Sequence, residues 1–365
     1  VDTSSIKNIL FIFYRMINLR LCNGTNYVDQ TGIALFKLEN DTWEMLHDDP
    51  NFIMQAQDTR IYRVNGEIIL SYNDDSHKDF PIRFSTLKIK DVIFLSEPSN
   101  LLKNSWKLDK NATLVDKNLV QYDFLNGKFT MFKDDKILQT PVFHFERLAN
   151  LYKSKIFFSV STPAIQYKKD TFLAVGHTKI NYHHEFSFDP ELDRFVKSCK
   201  PKYHENYIYT MFFYEFSLDG QIQRLSFSFI PIEPNEIETH LSFAMGLFEY
   251  QDNIYITFGE EDTKTKIIQF EKNEIEALLD DDQKFSETYK IGFLIKKSKE
   301  FNQYLENSRL KNCFTFNNSM IHWKDNLFIM VYRILYLNSE QEYRDPMEIW
   351  KYLWELEWKR YKNIS

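Results

Sequence analysis

Ile61-Tyr62-Arg63-Val64, a turn at Asn65-Gly66, and Ile68-Ile69-Leu70-Ser71-Tyr72 decide the fold class of this chain. Two apolar runs flank a dipeptide that tolerates positive φ, the signature of a two-residue β-hairpin. The unit recurs. Leu119 to Phe124 turns at Asn126-Gly127 into Phe129-Thr130-Met131-Phe132, and Ala164 to Tyr167 turns at Lys169-Asp170 into Phe172 to His177. Met245 to Tyr250 turns at Asp252-Asn253 into Ile254 to Phe258, and Ser319 to Trp323 turns at Lys324-Asp325-Asn326 into Leu327 to Tyr332. A hairpin returning every roughly 45–80 residues reads as radial repetition, which is a β-propeller. Such a fold gathers its inner strands around one central pocket.

Working outward, residues 6–46 hold two or three strands, with Gly32 to Leu38 the clearest, and Ile82 to Leu87 extends the first hairpin. Residues 96–116 read as polar loop. Residues 118–160 form a third unit and 163–230 a fourth, with a polar loop near 187–206 and a strong hairpin at Ile208 to Ser217, Asp219-Gly220 and Ile222 to Ile230. Residues 242–272 form a fifth, and Asn273 to Asp282 reads as a surface helix. Asp345-Pro346 is a helix-start signal, so Met347 to Tyr361 is an amphipathic helix or a pair of aromatic strands. The division is therefore a propeller over 1–340 and a short helical or aromatic C-terminal tail over 341–365. Asn8 to Arg15 also resembles Asn326 to Arg333. Three readings stay open: two copies of one blade strand, a tail that closes the ring, or the start of a second domain.

Composition suits strands packed sheet on sheet, since 16% of residues are aromatic, with 33 Phe and 21 Tyr. Only 9 Gly serve this many hairpins, so Asn, Asp and Lys must fill many turns. The net charge of −7 is spread along the chain without a Lys/Arg block, which argues against a nucleic-acid partner. Cys22, Cys199 and Cys313 lack paired spacing, so neither a disulfide framework nor a zinc knuckle is expected. A reducing, cytoplasmic setting is the expectation. Ile9 to Tyr14 is too short for a membrane span, and no membrane partner is expected. The chain opens on Val1, as a fragment of a longer protein would.

Gln57-Asp58-Thr59-Arg60-Ile61-Tyr62 resembles the Glu-Asp-Pro-Arg-Ile signature of the mannoside phosphorylase family of glycoside hydrolases. The resemblance recurs in order along most of the chain. Ile12 to Arg15 with Gly32 to Leu35 looks like the family's first blade, and Asp116 to Leu119 with Asn126 to Lys128 looks like its Glu-Lys-Asn-Trp blade. Ser161-Thr162-Pro163-Ala164-Ile165 leading to Gly176-His177-Thr178-Lys179 looks like its fourth-blade motif. Ala244 to Leu247 leading to Phe258-Gly259-Glu260-Glu261-Asp262-Thr263 looks like its last-blade pattern. The family comprises five-bladed propellers, so the resemblance implies that blade count. It also implies an inverting β-mannoside phosphorylase, or a related eukaryotic mannosyltransferase–phosphorylase, with no cofactor. The implied partners are a mannose-containing oligosaccharide and phosphate or mannose-1-phosphate. Gln57, Thr59, Leu119 and Ser161 depart from the usual Glu, Pro, Trp and Gly.

The chemistry names the candidate residues. Breaking a glycosidic bond needs an acid for the leaving oxygen and a nucleophile on the opposite face. In a phosphorylase the nucleophile is phosphate, so one carboxyl group and a cationic pocket suffice. Asp58 is the candidate acid. Arg60, His177 and Lys179 form the candidate phosphate-binding set, Arg offering a bidentate fork and Lys a point charge. Asp262 and Arg15 are the candidate sugar-binding residues. Each has a plainer role open to it: an Asp58–Arg60 salt bridge, a core His177, a solvated Lys179, a surface Asp262 and a structural Arg15. His183-His184-Glu185 invites a metal, but neighbours on a strand point to opposite faces, and no metal site is expected. A nucleotide-sugar-dependent transferase and a silent glycan- or protein-binding propeller remain the alternatives.

Overall fold

The computed structural model describes residues 27–48, 56–74, 82–89, 93–95, 111–116, 118–125, 127–133, 136–142, 156–182, 186, 189–199, 207–233, 241–260, 264–280, 290–301 and 313–337. The described residues form an all-β fold of five sheets with two helices, and none of these helices is long and apolar enough to cross a membrane.

Sheet 1 joins the two ends of the described chain. Its order is β2 (Thr42–Asp48), β1 (Tyr27–Glu39), β23 (Leu327–Leu337) and β22 (Cys313–Lys324). Sheet 2 is β3 (Ala56–Val64), β4 (Glu67–Asp74), β5 (Ile82–Ile89) and β6 (Ile93–Leu95). Sheet 3 is β7 (Thr113–Asp116), β8 (Leu119–Leu125), β9 (Lys128–Lys133) and β10 (Lys136–Pro141). Sheet 4 runs β11 (Ile156–Val160), β13 (Thr171–Asn181), β14 (Tyr207–Ser217), β16 (Ser228–Ile232) and β20 (Ile291–Ile295). Two short strands, β12 (Ile165–Lys168) and β15 (Ile222–Leu225), pair with β13 and β14. Sheet 5 is β17 (Ser242–Tyr250), β18 (Asn253–Glu260), β19 (Lys264–Glu271) and β21 (Ser298–Glu300).

Local turn chemistry explains the hairpins. Asn40-Asp41, Asn65-Gly66 and Gln251-Asp252 all hold positive φ at both turn positions, as a type I′ turn requires. Asn, Asp and Gln thus replace the scarce glycine. The β17–β18 turn sits one residue earlier than the expected Asp252-Asn253, because Asn253 already pairs with Tyr250.

Each sheet packs on the next through its own apolar cluster. Ile33, Ile321 and Val331 of sheet 1 meet Ile61 and Leu70 of sheet 2. Tyr62 and Phe84 of sheet 2 meet Leu114 and Val120 of sheet 3. Phe124 and Phe129 of sheet 3 meet Phe212 and Tyr214 of sheet 4. Val175 and Phe213 of sheet 4 meet Leu247 and Phe258 of sheet 5. Phe248 and Tyr255 of sheet 5 meet Phe36, Trp43 and Phe328 of sheet 1. Aromatic side chains carry these contacts edge to face, as with Trp43 on Phe328 at 4.7 Å between ring centres.

Two expectations are corrected, and one left open is narrowed. Residues 113–116 are strand β7, not loop: Thr113 and Leu114 are buried against sheets 2 and 4. The polar stretch 187–206 contains helix α1 (Pro190–Ser198), started by the Asp189 side chain accepting from Leu192 N, with proline in the first turn. Its stripe of Leu192, Phe195 and Val196 is buried. The 319–333 hairpin joins the N-terminal strands in one sheet, since β23 pairs with β1 from Tyr27↔Leu337 to Lys37↔Leu327. The expected surface helix is α2 (Lys272–Asp280), whose Ile275 and Leu279 are nevertheless buried. Asn8 to Arg15, His183 to Glu185 and the tail 341–365 lie outside the described residues.

Candidate functional site

Asp58 stands on β3 with φ of 50°, in the left-handed region that Asp tolerates better than most residues. The β3–β4 register slips between Gln57 and Arg60, so Asp58 and Thr59 form a bulge. Bulges re-aim side chains and are frequent beside active sites. Asp58 is 8% exposed and Arg60 2%.

Arg60 reaches across to sheet 4. Its Nε donates to the Ser161 carbonyl at 2.7 Å, and its Nη1 donates to the Asp58 carbonyl at 3.2 Å. Ser161 Oγ in turn lies 2.7 Å from His177 Nδ1. The chain Asp58–Arg60–Ser161–His177 therefore links residues of two sheets that are 101 positions apart at the Arg60–Ser161 step. His177 is fully buried, with its ring 4.8 Å from Phe243 and 6.0 Å from Tyr209. Lys179 lies two residues on, on the same strand face. Its Nζ sits 5.4 Å from the centre of the Tyr209 ring, a cation–π contact.

Two departures from the resembled motif make buried hydrogen bonds here, one of them within this network. Thr59 Oγ1 pairs with Thr31 Oγ1 at 2.6 Å, tying sheet 2 to sheet 1, which a proline there would not do. Ser161 supplies both the acceptor for Arg60 and the hydroxyl for His177. Leu119 fills apolar core. Arg15 and Asp262 lie outside the described residues.

Sequence reasoning passed over a second buried network beside the first. Gln121 Nε2 donates to the Thr162 carbonyl at 2.7 Å, and its Oε1 accepts from Tyr214 OH. Thr162 Oγ1 accepts from Val175 N at 2.9 Å. Burial pushes the Tyr214 phenol well above its ordinary pKa, with the Asp123 charge adding to it. This network fixes the 161–164 turn between sheets 3 and 4, and so fixes Ser161. Isolated Gln and Tyr residues in strands carry no signal that would reveal it.

A cavity of about 200 Å³ lies toward the other end of the central strands. Its walls come from all five sheets: Ile61 to Val64, Leu114 and Val115, Pro163 to Ile165, Leu247 to Glu249, and Ile321 with His322. Asp58, Arg60, His177 and Lys179 are not among its lining residues. Of the candidates, Arg60 and His177 are brought together through Ser161, and Lys179 lies on the strand of His177. Among the described residues there is no cluster of three metal-ligating side chains.

No family model and no curated protein matches this chain. Among solved structures it is similar to a candidate glycoside hydrolase of Bacteroides ovatus ATCC 8483. That likeness has 14% identity and a TM-score of 0.37, covering 67% of this chain and 85% of the other. It is also similar to a subtype N10 neuraminidase-like protein of A/little yellow-shouldered bat/Guatemala, at 8% identity and a TM-score of 0.34, covering 78% and 94%. A Bacteroides vulgatus member of the duf4221 family follows at 9% identity and a TM-score of 0.28, covering 85% and 99%. Scores this low carry no argument about activity.

Proposed function

We propose that the five sheets are blades of a five-bladed β-propeller and that the chain is an inverting carbohydrate-active enzyme. The specific reading is a β-mannoside phosphorylase or mannosyltransferase that works with mannose-1-phosphate and phosphate. The observation that supports it is the buried link from Arg60 through Ser161 to His177, which joins two of the candidate residues, with the Asp58 backbone carbonyl also accepting from Arg60.

In phosphorolysis, phosphate attacks the anomeric carbon from the face opposite the leaving oxygen. Asp58 gives the proton that the leaving oxygen takes up, by way of a sugar hydroxyl in the resembled family. The C–O bond to the acceptor sugar breaks as the bond to phosphate forms, and the configuration inverts. In synthesis the steps reverse and Asp58 accepts the proton. Arg60 and Lys179 supply positive charge for the phosphate. His177 is enclosed, so it acts through Ser161 as a positioning residue for Arg60. Arg15 and Asp262 hold the sugar in this reading.

A second reading rests on a specific observation. Two nitrogens of Arg60 are engaged with backbone carbonyls and His177 is fully buried, an arrangement that also suits a silent binding propeller. Incubation with mannose-1-phosphate and oligomannose acceptors separates the two. Phosphate release that survives a chelator is the expected outcome. Turnover with GDP-mannose instead would mean a nucleotide-sugar donor, and binding of mannosides without turnover of either donor would make the chain a silent propeller.

A further inference from the structure

One face of sheet 4 opens to solvent as it leaves the Arg60–Ser161–His177 link. β11, β13 and β14 pair there without a register slip, so side chains on that face align in rows across the three strands. The first row is Ser159, His177 and Met211, with His177 and Met211 fully buried. The second is Phe157, Lys179 and Tyr209, and the third is Asn181 with Tyr207. Burial falls from row to row. Lys179, Tyr209, Asn181 and Tyr207 are half-buried, and Phe157 is 41% exposed.

The three rings of this face stand outside the core. Phe157, Tyr207 and Tyr209 belong to none of the apolar clusters that join the sheets. Phe157 and Tyr207 meet edge to face across β13, with ring centres 6.4 Å apart. Lys179 lies on β13 between their strands, with Nζ 5.4 Å from the Tyr209 ring centre. Adjoining water-facing rings rimmed by polar side chains mark a binding groove. A pyranose matches this surface. Its C–H face packs on aromatic rings, while N–H groups of Lys and Asn reach hydroxyl oxygens at its edge. A lone phosphate would leave the rings unused, and a purely apolar ligand would leave Lys179 and Asn181 unused.

Phe157 precedes Ser161 by four residues, roughly 13 Å at about 3.3 Å per residue. The rings therefore lie too far along the strand to hold the sugar that reacts. We propose that the Phe157–Tyr207–Tyr209 face binds a distal pyranose of an oligosaccharide whose reacting end sits at the Asp58 site. The inference rests on the carbohydrate-active reading given above and adds a subsite to it.

Calorimetric titration of the full chain with β-mannotriose and cellotriose, with mannose and glucose as single-unit matches, tests this. One trisaccharide should bind with a Kd of roughly 0.1–5 mM, at least about fivefold tighter than its monosaccharide. Phe157→Ala should weaken the trisaccharide by about 5–20-fold and leave the monosaccharide within about twofold. Phe157→Tyr should restore binding. Phe157→Leu, which keeps apolar bulk but no ring, should not, and it decides the matter if Phe157→Ala lowers the melting temperature. A trisaccharide that binds no tighter than its monosaccharide overturns the proposal. So does trisaccharide binding that a folded Phe157 variant leaves unchanged, or no binding of either trisaccharide at about 20 mM. GDP binding that exceeds the trisaccharide and needs Phe157 overturns it in favour of a stacked nucleobase. Phosphate release from mannose-1-phosphate decides the enzymatic reading separately. Turnover with unchanged trisaccharide binding in Phe157→Ala keeps that reading and removes the subsite, whereas Phe157-dependent binding without turnover keeps the subsite and removes the reading.

Discussion

The two halves of β3 lie in one strand and meet opposite environments. Residues 58–60 form a bulge whose Asp58, Thr59 and Arg60 are all buried, and whose hydrogen bonds run to sheets 1 and 4. Residues 61–64 resume a regular ladder with β4, bury Ile61 and Val64, and turn Arg63 out to the cavity rim. The bulge makes the difference. An extra residue shifts which side chains face inward, so polar groups enter the interior at one end and leave it at the other. Burial of an arginine is costly unless its N–H groups meet acceptors, and the Ser161 and Asp58 carbonyls take up Nε and Nη1.

The largest effect expected from this contrast is on turnover. Asp58→Asn keeps a residue that tolerates positive φ, so the fold should hold within about 0.5 kcal/mol. Mannosyl transfer to or from phosphate should nevertheless fall by about 10²–10⁴. A smaller loss in a folded variant would remove Asp58 from the acid role.

Next comes stability at the polar end. Arg60→Met removes hydrogen bonds from a charged donor and leaves the buried Ser161 carbonyl without that partner, at a cost of about 2–4 kcal/mol in a denaturant titration. Ser161→Ala should cost less, about 1 kcal/mol, because the carbonyl stays and only the contact to His177 goes. Equal costs for the two would mean that the hydroxyl, not the guanidinium, holds the sheets.

A region remote from both ends supplies the control. Arg224 forks onto Glu276 of α2, with Nη1 to Oε2 at 2.7 Å and Nη2 to Oε1 at 3.1 Å, and also binds Glu215. The Arg224 hydrogen bonds lower the Glu276 pKa to about 2, against an ordinary value of 4.5. A carboxyl lowered on folding contributes stability above its unfolded pKa and loses it as pH falls through the folded one. The loss should therefore appear between about pH 4.5 and pH 2. Glu276 is 35% exposed, so solvent screening limits the loss to about 1 kcal/mol. Denaturant midpoints for Glu276→Gln should lack this component, while Asp58→Asn should retain it.

The smallest effect is at the rim. Arg63→Gln should change stability by no more than about 0.5 kcal/mol, since the side chain is exposed and makes one hydrogen bond to a carbonyl. A loss as large as that of Arg60→Met would mean that the two ends of β3 are not different in kind.

Much of the fold was legible because hairpins are local. Asn65-Gly66 and Asp325 sit in the turns read from sequence, and Gly66 and Asp325 hold the positive φ such turns need. Helix α1 was missed although Asp189-Pro190 is a start signal, because only three buried apolar residues mark its face within a polar stretch. Strand β7 was missed because its four residues have no strong alternation and become a strand only when sheets 2 and 4 cover them. Of the candidate site, Asp58 and Arg60 stood out by the resemblance of their motif to a family signature, but nothing local marked Ser161 as the acceptor between Arg60 and His177.

By itself, then, the sequence determined the turns, the strands beside them and the all-β class, since these follow from φ preferences and side-chain alternation over a few residues. Only the tertiary structure decided which of those strands meet. The Arg60–Ser161 bond spans 101 positions and the Ile61–Ser319 bond 258, distances over which no local preference acts. Packing of aromatic sheet faces brought them together, and a buried guanidinium then had to take the nearest carbonyl as its partner.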